Sequence, residues 1–393
     1  MASFCTDSNA GWYNRVTLMK VEFFRHNLGN QEINEVIKVL KSLFLTTGKY
    51  VDDFESSLSK YLGVKYTVGL TSCTAALHLS LLAAGVKPGD EVITTPMSFV
   101  ATTNAIVMCG AIPVFVDVEA DTGNIDVSLV EKSINKRTKA ILPVHLYGQM
   151  VDMKKLLAVA NKHKIPVIED AAHALEASRD GIRSGQKSFG ACFSFYATKS
   201  ITSAEGGVFS TNNETIAKLV KKLRSHGITS ELAQRIRTGL TTYDVDVLGW
   251  KYNMDNMQGA LLINQIGKIN KQRDAREKIA GKYMKAFEKA GIDMPHEYKN
   301  SIHGRHIFAI WVDPSRRDKI LSYINNHGVG AVINYPSIHL FTFYKKLLKT
   351  KKGMFQNCES IASREISLPL YPKLTDREVK YVIDVVIKAV KSS

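Results

Sequence analysis

Two residues carry most of the chemical information in this sequence. Asp170 ends an apolar run and opens into small residues in VIEDAAHA. A carboxylate at that point can pair with a protonated heteroaromatic nitrogen and make the ring a better electron sink. Taken alone, it also reads as an acidic helix cap. Lys199 follows 29 positions later, in FSFYATKSITSAEGG. An aromatic strand precedes it, and small, hydroxyl-bearing and Gly residues follow. A lysine in such a pocket loses its proton readily and can attack an aldehyde. Alone it would pass for a surface lysine, and beside Asp170 the chemical reading is favoured.

Other residues extend this pair. SCTAA at 72–76 combines hydroxyls with the backbone N–H groups of a helix start, an anion cradle suited to a phosphate; an ordinary N-cap is the alternative. Ser194 stands close before Lys199 and adds a hydroxyl. His173 follows Asp170 by three residues and either approaches the same ring or is simply packed. Phe99, in PMSFVAT after another strand end, either stacks on the ring or belongs to the core. There is no His-Glu-x-x-His motif and no histidine ligand run, so no metal is expected; nor does a Gly-rich dinucleotide fingerprint follow the first strand.

The elements that must position these groups follow an α/β rhythm. Helical periodicity covers 30–43 and 50–62, separated by TTG at 46–48. Strands are expected at 66–70, 91–96, 112–118, 140–145, 165–170, 191–195 and 208–211, with helices between most of them at 75–85, 99–110, 127–136 and 153–163. A mostly parallel sheet places its site beyond the carboxyl ends of its strands, where His145, Asp170, Pro96 and the 71–74 turn fall. A polar, poorly periodic loop covers 228–247. A long helix is expected from Met254 past 280, followed by a smaller α+β region containing the strand HIFAIWV. The chain of 393 residues divides into a leader at 1–20, a large domain at 21–260, and a linking helix with a small domain at 261–393.

Bulk composition narrows the class. Hydrophobic residues make up 45% and charged residues 23%, ordinary values for a globular enzyme. No run approaches the roughly 18 apolar residues of a membrane span, and the first twenty residues lack a signal-peptide pattern. The five cysteines form no Cys-x-x-Cys pair, which suits a reducing cytoplasm. The net charge of +15 favours either nucleic acid or small anionic substrates. The basic residues are thinly spread, as in KSINKRTK at 132–139, RRDK at 316–319 and KKLLKTKK at 345–352. No zinc finger, ribonucleoprotein motif or long basic arm accompanies them, so small anions are the better reading and no nucleic-acid partner is expected.

The combination resembles the DegT/DnrJ/EryC/StrS family of sugar-nucleotide aminotransferases over about residues 21–390. The blocks that carry the resemblance are TTG at 46–48, SCTAALHLSL at 72–81, GDEVITTPMSFVAT at 89–102 and HLYGQMVDM at 145–153. With them stand IEDAAHA at 168–174, FSFYATKSITSAEGG at 193–207, GWKYNMDNMQGAL at 249–261, INYPSIH at 333–339 and SLPLYPKLTDREV at 367–379. The resemblance implies the aspartate-aminotransferase fold (fold-type I), with a large mostly parallel α/β domain and a smaller C-terminal α+β domain. It implies pyridoxal 5'-phosphate as cofactor, passing to pyridoxamine 5'-phosphate, with Lys199 as the Schiff-base lysine and proton carrier. Asp170 matches the ring-nitrogen carboxylate, His173 a position near the ring hydroxyl, and Thr74 and Ser194 phosphate ligands. Cys73 stands where Gly or Ala is common, leaving its backbone N–H available.

The resemblance also implies a homodimer with active sites at the interface, in which Asn253 reaches the neighbouring subunit's cofactor phosphate and the 228–247 loop borders the partner's site. Substrate contacts would come from Thr47, from Arg235 or Arg237, and from Tyr335 and His339 in the sugar pocket. The implied reaction takes the amino group of L-glutamate, releases 2-oxoglutarate, and aminates a nucleotide-diphosphate keto sugar. AEGG and the KYN at 251–253 point toward UDP-linked 4-keto sugars, a 6-deoxy hexose or a pentose. A related sugar 3-dehydratase would carry His in place of Lys199, and a non-catalytic regulator would lack the Asp170–Lys199 pair.

Overall fold

The computed structural model describes residues 19–229, 239 and 242–392. Its large domain is built on seven strands: β1 (Tyr66–Leu70), β2 (Glu91–Thr94), β3 (Ile112–Phe115), β4 (Thr138–Leu142), β5 (Ile168–Asp170), β6 (Gly190–Ser194) and β7 (Gly207–Thr211). β3, β2 and β4 pair in parallel, as do β5 and β6, while β7 runs antiparallel between β6 and β1. Parallel bridges Ile141–Val167 and Val144–Asp170 join the two groups, giving the order β3-β2-β4-β5-β6-β7-β1. Apart from the edge strand β3 and the first residues of β4, the strands are buried on both faces and read as short apolar runs, as expected when helices cover both sides.

Each face has its own core. Leu77, Leu81, Ile106, Val220 and Leu223, from helices Cys73–Ala83, Ala101–Met108 and Glu214–Leu223, pack against Val68, Val92, Cys192 and Phe209. On the other face Phe54 and Leu58, Leu156, and Leu262, from helices Lys49–Leu62, Met153–Lys162 and Asn256–Ile266, cover Ile93, Ile141, Phe193 and Val208.

Several expected elements are shorter. The 91–96 strand stops at Thr94, and Pro96 instead offers its carbonyl to Ile338 N at 2.9 Å. The 165–170 strand begins at Ile168, because Pro166 has no N–H to give the ladder. The helix expected at 127–136 is one turn, Val127–Val130, continued by a 3-10 turn through Ser133. The long helix expected from Met254 is two, Asn256–Ile266 and Ile269–Lys289, divided at Gly267 and Lys268. The break lets one helix present Leu262 to the large-domain core while the next turns Ile279, Tyr283 and Phe287 into the C-terminal core.

Val21 packs in the C-terminal core and pairs with Val329, so the chain starts its described course on the small domain; Leu262 and Ile269 remain with the large one. The small domain centres on the antiparallel pair β8 (Phe308–Trp311) and β9 (Glu365–Leu368), flanked by helices Ile269–Lys289, Arg317–Asn326 and Asp376–Ser392. Among the described residues no helix is long and apolar enough to cross a membrane, and no group of three metal-ligating side chains converges.

Candidate active site

The carboxyl ends of the central strands open into a cavity of about 550 Å³ between the two domains. Asp170 enters it as the last residue of β5, and Lys199 from the turn after β6, where its N–H donates to Tyr196 O at 2.9 Å. Burial pushes the Lys199 ammonium down to about 8, against the nearby Cys73 thiol and Asp170 carboxylate, which favour the charged form. A lysine so lowered is a competent nucleophile and base near neutrality. Burial raises the Asp170 carboxyl above its ordinary value, opposed by two hydrogen bonds. Thr102 Oγ1 donates to Oδ2 at 2.7 Å and Ala172 N to Oδ1 at 3.1 Å, so the carboxylate is held in one orientation.

The helix Cys73–Ala83 aims its N-terminus at the same cavity. Ser72 caps it by accepting from Ala75 N at 3.1 Å, and Cys73 and Thr74 line the wall with Ser194 across from them. The free N–H groups and hydroxyls make this the natural seat of a phosphate. Gly207 permits the arrangement: a Cβ there would stand 2.2 Å from Ser72 C and 2.3 Å from Cys73 N. Behind Asp170, His173 stacks near Tyr335, whose hydroxyl lies 3.2 Å from its Nε2. His173 Nδ1 is buried without a partner, and burial holds the imidazole neutral. Phe99 also lines the cavity, its ring centroid 5.9 Å from that of Tyr335.

The remaining expected residues divide. Tyr335 lines the cavity, but His339 does not. It is wholly buried against Phe355, and a buried imidazole needs a polar partner, which Glu359 supplies (Nε2 to Oε1 3.0 Å) while also accepting from the Gly353 and Phe355 N–H groups. His145 is likewise buried, on Glu169 at 2.7 Å. Thr47 and Asn253 do not reach the cavity of their own chain. They form a separate pair, Asn253 Nδ2 donating to Thr47 Oγ1 at 2.7 Å, with Asn253 Oδ1 unpartnered. Arg235 and Arg237 lie outside the described residues.

Sequence reasoning missed His306, whose Nε2 lies 3.2 Å from Lys199 Nζ, and Thr102, Asn334, Phe23 and Phe24 on the cavity wall. Thr102 stood inside a recognised block; nothing in the pattern of HGRHIF singled out His306.

The set fits pyridoxal phosphate on structural grounds: an anion seat, a buried oriented carboxylate and a lysine of lowered pKa share one cavity of suitable size. Comparisons with known proteins agree. The chain is 37% identical over 373 residues to the spore coat polysaccharide biosynthesis protein SpsC of Bacillus subtilis, covering 93% of this chain and 96% of that one. It is 35% identical over 371 residues to the UDP-4-amino-4-deoxy-L-arabinose–oxoglutarate aminotransferase of Shewanella sediminis, covering 91% and 95%. Spr1654 of Streptococcus pneumoniae, solved in pyridoxamine- and pyridoxal-phosphate forms, superposes in the former with a TM-score of 0.90 at 30% identity, covering 95% of this chain and 99% of that chain. The profile of the DegT/DnrJ/EryC1/StrS aminotransferase family matches residues 26–387. With both the cavity chemistry and the full-length match in agreement, the chain belongs to the DegT/DnrJ/EryC1/StrS aminotransferase family and is a pyridoxal-phosphate-dependent transaminase of fold-type I.

Proposed function

We propose that this enzyme transfers the amino group of L-glutamate to a UDP-linked 4-keto sugar, releasing 2-oxoglutarate. The observation that carries the reading is the buried Lys199 amine, near-neutral in pKa, sharing one cavity with the oriented Asp170 carboxylate. The sugar and donor rest on similarity to the arabinose–oxoglutarate aminotransferase, and the net charge of +15 suits a diphosphate substrate. The same similarity supports a role in amino-sugar and glycan biosynthesis. The four cysteines among the described residues are buried and free, which suits a reducing cytoplasm.

Pyridoxal phosphate supplies the aldehyde that captures an amine and the ring that accepts the electron pair released at the substrate carbon. The protein supplies position and proton traffic. The Cys73–Thr74 helix start and Ser194 would hold the phosphate. Asp170, its carboxylate oriented by Thr102 and Ala172, would pair with the ring nitrogen, with His173 on the side of the ring hydroxyl. Phe99 would pack on the ring face. Lys199 would hold and move the proton at Nζ. Tyr335 borders the sugar.

A second copy completes the site in this reading. The unpartnered Asn253 Oδ1 and Thr47 lie beside a row of exposed apolar residues, Ile33, Ile37, Leu40, Leu43, Phe44 and Leu45. A dimer joined on that row would cover it and turn Asn253 and Thr47 toward the neighbour's cofactor and substrate, with Arg235 or Arg237 available to an anionic group.

An absorbance titration tests the function. The purified protein develops the visible band of lysine-bound cofactor, L-glutamate converts it to the near-ultraviolet band of the amine form, and a UDP-linked 4-keto sugar restores it. Restoration by a dTDP- or GDP-linked sugar, or by a 3-keto sugar instead, refutes the substrate assignment. Absence of any band in folded, cofactor-supplied protein refutes the class.

A further inference from the structure

We infer that His306 is a positioning residue for Lys199: its neutral imidazole accepts a hydrogen bond from Nζ, aims the amine's lone pair into the cavity, and lets the pair hold one positive charge and not two. The inference rests on the reading of Lys199 as the catalytic amine and assigns a role to a side chain from the other domain.

Three observations carry it. The first is the contact itself, Nζ to Nε2 at 3.2 Å, a hydrogen-bond distance across the cavity. A neutral amine that donates one N–H to Nε2 keeps its lone pair, and the bond fixes where that pair points. An ammonium, formed when Lys199 takes a proton from carbon, donates to the same acceptor without moving. One acceptor therefore serves both protonation states, and the proton stays on Nζ, ready to be returned.

The second observation is how firmly the acceptor is placed. His306 precedes β8, while Lys199 belongs to the large domain, so the bond spans the cleft. The backbone before His306 is pinned at Gly304, whose N–H donates to Gly148 O at 2.8 Å and whose carbonyl accepts from Arg276 Nη2 at 3.2 Å. Arg276 is itself buried in an ion pair with Glu176 at 2.6 Å. The His306 ring rests on His173, centroids 4.4 Å apart.

The third is the charge around the imidazole. Lys199 faces it from the turn after β6, Arg276 from the long helix and His173 from the segment after β5, while Asp170 and Cys73 face Lys199 from their own elements. Burial and the two neighbouring cations hold His306 well below its ordinary value, so it stays a neutral acceptor throughout the working range.

The test compares His306→Leu, which removes the acceptor, with His306→Gln, which keeps an acceptor that cannot be charged. Reductive methylation of Lys199 in the apoprotein, followed by mass spectrometry across a pH series, reads the amine without cofactor. The wild type should show its inflection at about 8. Loss of the acceptor should move the Leu inflection lower, since the ammonium has lost a stabilising partner. In the holoenzyme, misaiming should slow the single-turnover conversion by L-glutamate about 10- to 100-fold, with glutamate affinity changed less than about 3-fold. Gln should restore the inflection and most of the rate. A Leu variant with wild-type inflection and rate overturns the inference, as does a Gln variant no better than Leu. If Leu does not fold, His306→Asn replaces it, since its shorter amide withdraws the acceptor. If borohydride reduction of wild-type holoenzyme leaves no cofactor on the Lys199 peptide, the catalytic reading fails instead, and the apoprotein inflections still decide the hydrogen bond.

Discussion

Replacing Gly207 by alanine adds one methyl group, and the structure gives it no room. The new Cβ would stand 2.2 Å from Ser72 C, 2.3 Å from Cys73 N and 2.4 Å from Ser72 O, where ordinary contact begins near 3.4 Å. All three atoms are backbone, so no side chain can swing aside. The 72–73 turn must retreat by about 1 Å, or β7 must leave its register with β6 and β1. Overpacking of this kind costs about 1–3 kcal/mol, which for a protein of this size is a fall of several degrees in Tm. The functional loss should be larger than the stability loss suggests, because the displaced turn is the proposed phosphate seat. A shift of about 1 Å in a binding constellation can cost up to about 100-fold, so cofactor affinity should weaken at least about 10-fold. The assay is equilibrium dialysis of apoprotein against pyridoxal phosphate, paired with thermal unfolding. Gly281→Ala is the control: nothing lies within 4 Å of its added Cβ, it sits inside the helix Ile269–Lys289, and it should stabilise by about 0.5–1 kcal/mol. A Gly207→Ala protein with wild-type Tm and cofactor affinity would refute the close-packing argument and the assignment of the seat.

Further outcomes follow from the same geometry. Cofactor capture by apoprotein should rise about tenfold per pH unit below the Lys199 value of about 8 and level above it; Asp170→Asn should move that inflection lower, since the carboxylate supports the ammonium, and a shift upward would contradict it. Thr102→Val removes a donor to a buried carboxylate, worth about 1.5–3 kcal/mol; the Asp170 carboxyl should rise further, so cofactor affinity at neutral pH should drop and recover as pH is raised, measured by dialysis at two pH values. Arg276→Met strands Glu176 as a buried charge and should cost about 3–5 kcal/mol in denaturant unfolding, much of it regained in the Arg276→Met/Glu176→Leu double variant. Glu365, wholly buried, has its carboxyl raised by desolvation to about 8. A raised folded pKa favours the neutral form, so its stabilising contribution is complete below the unfolded value and is lost as pH rises toward 8. Glu365→Gln should flatten that part of the Tm–pH curve, and an unchanged curve would count against it.

The order of strands and helices was legible because burial on both faces leaves a plain mark, short apolar runs alternating with amphipathic segments. Asp170 was legible as the last residue of a strand, and Lys199 as a charge in a turn of small and hydroxyl-bearing residues just after one, where a charged side chain has few structural uses. The 72–76 turn was legible because an anion seat needs hydroxyls and a helix start together. These are local properties, written within a few residues of the group concerned.

What the tertiary structure decided depends on residues far apart in the chain. His306 joins Lys199 across 107 positions, because two domains close on one cleft and no local pattern records which side chain meets which. Thr102 supports Asp170 across 68 positions for the same reason. His339 lies in a motif beside Tyr335, yet it is wholly buried away from the cavity, where its ring nitrogen finds its partner in Glu359, 20 positions on. The helix expected to run through Gly267 breaks there because its two halves serve different cores, and Val21 belongs to the small domain because its pairing partner is Val329. Sequence alone determined the fold class and singled out Asp170, Lys199 and the 72–76 turn as the proposed catalytic pair and phosphate seat, each marked by short-range chemistry. Which side chains complete the cavity, and where the domains divide, was decided only by long-range packing, whose energy depends on neighbours that the local sequence does not name.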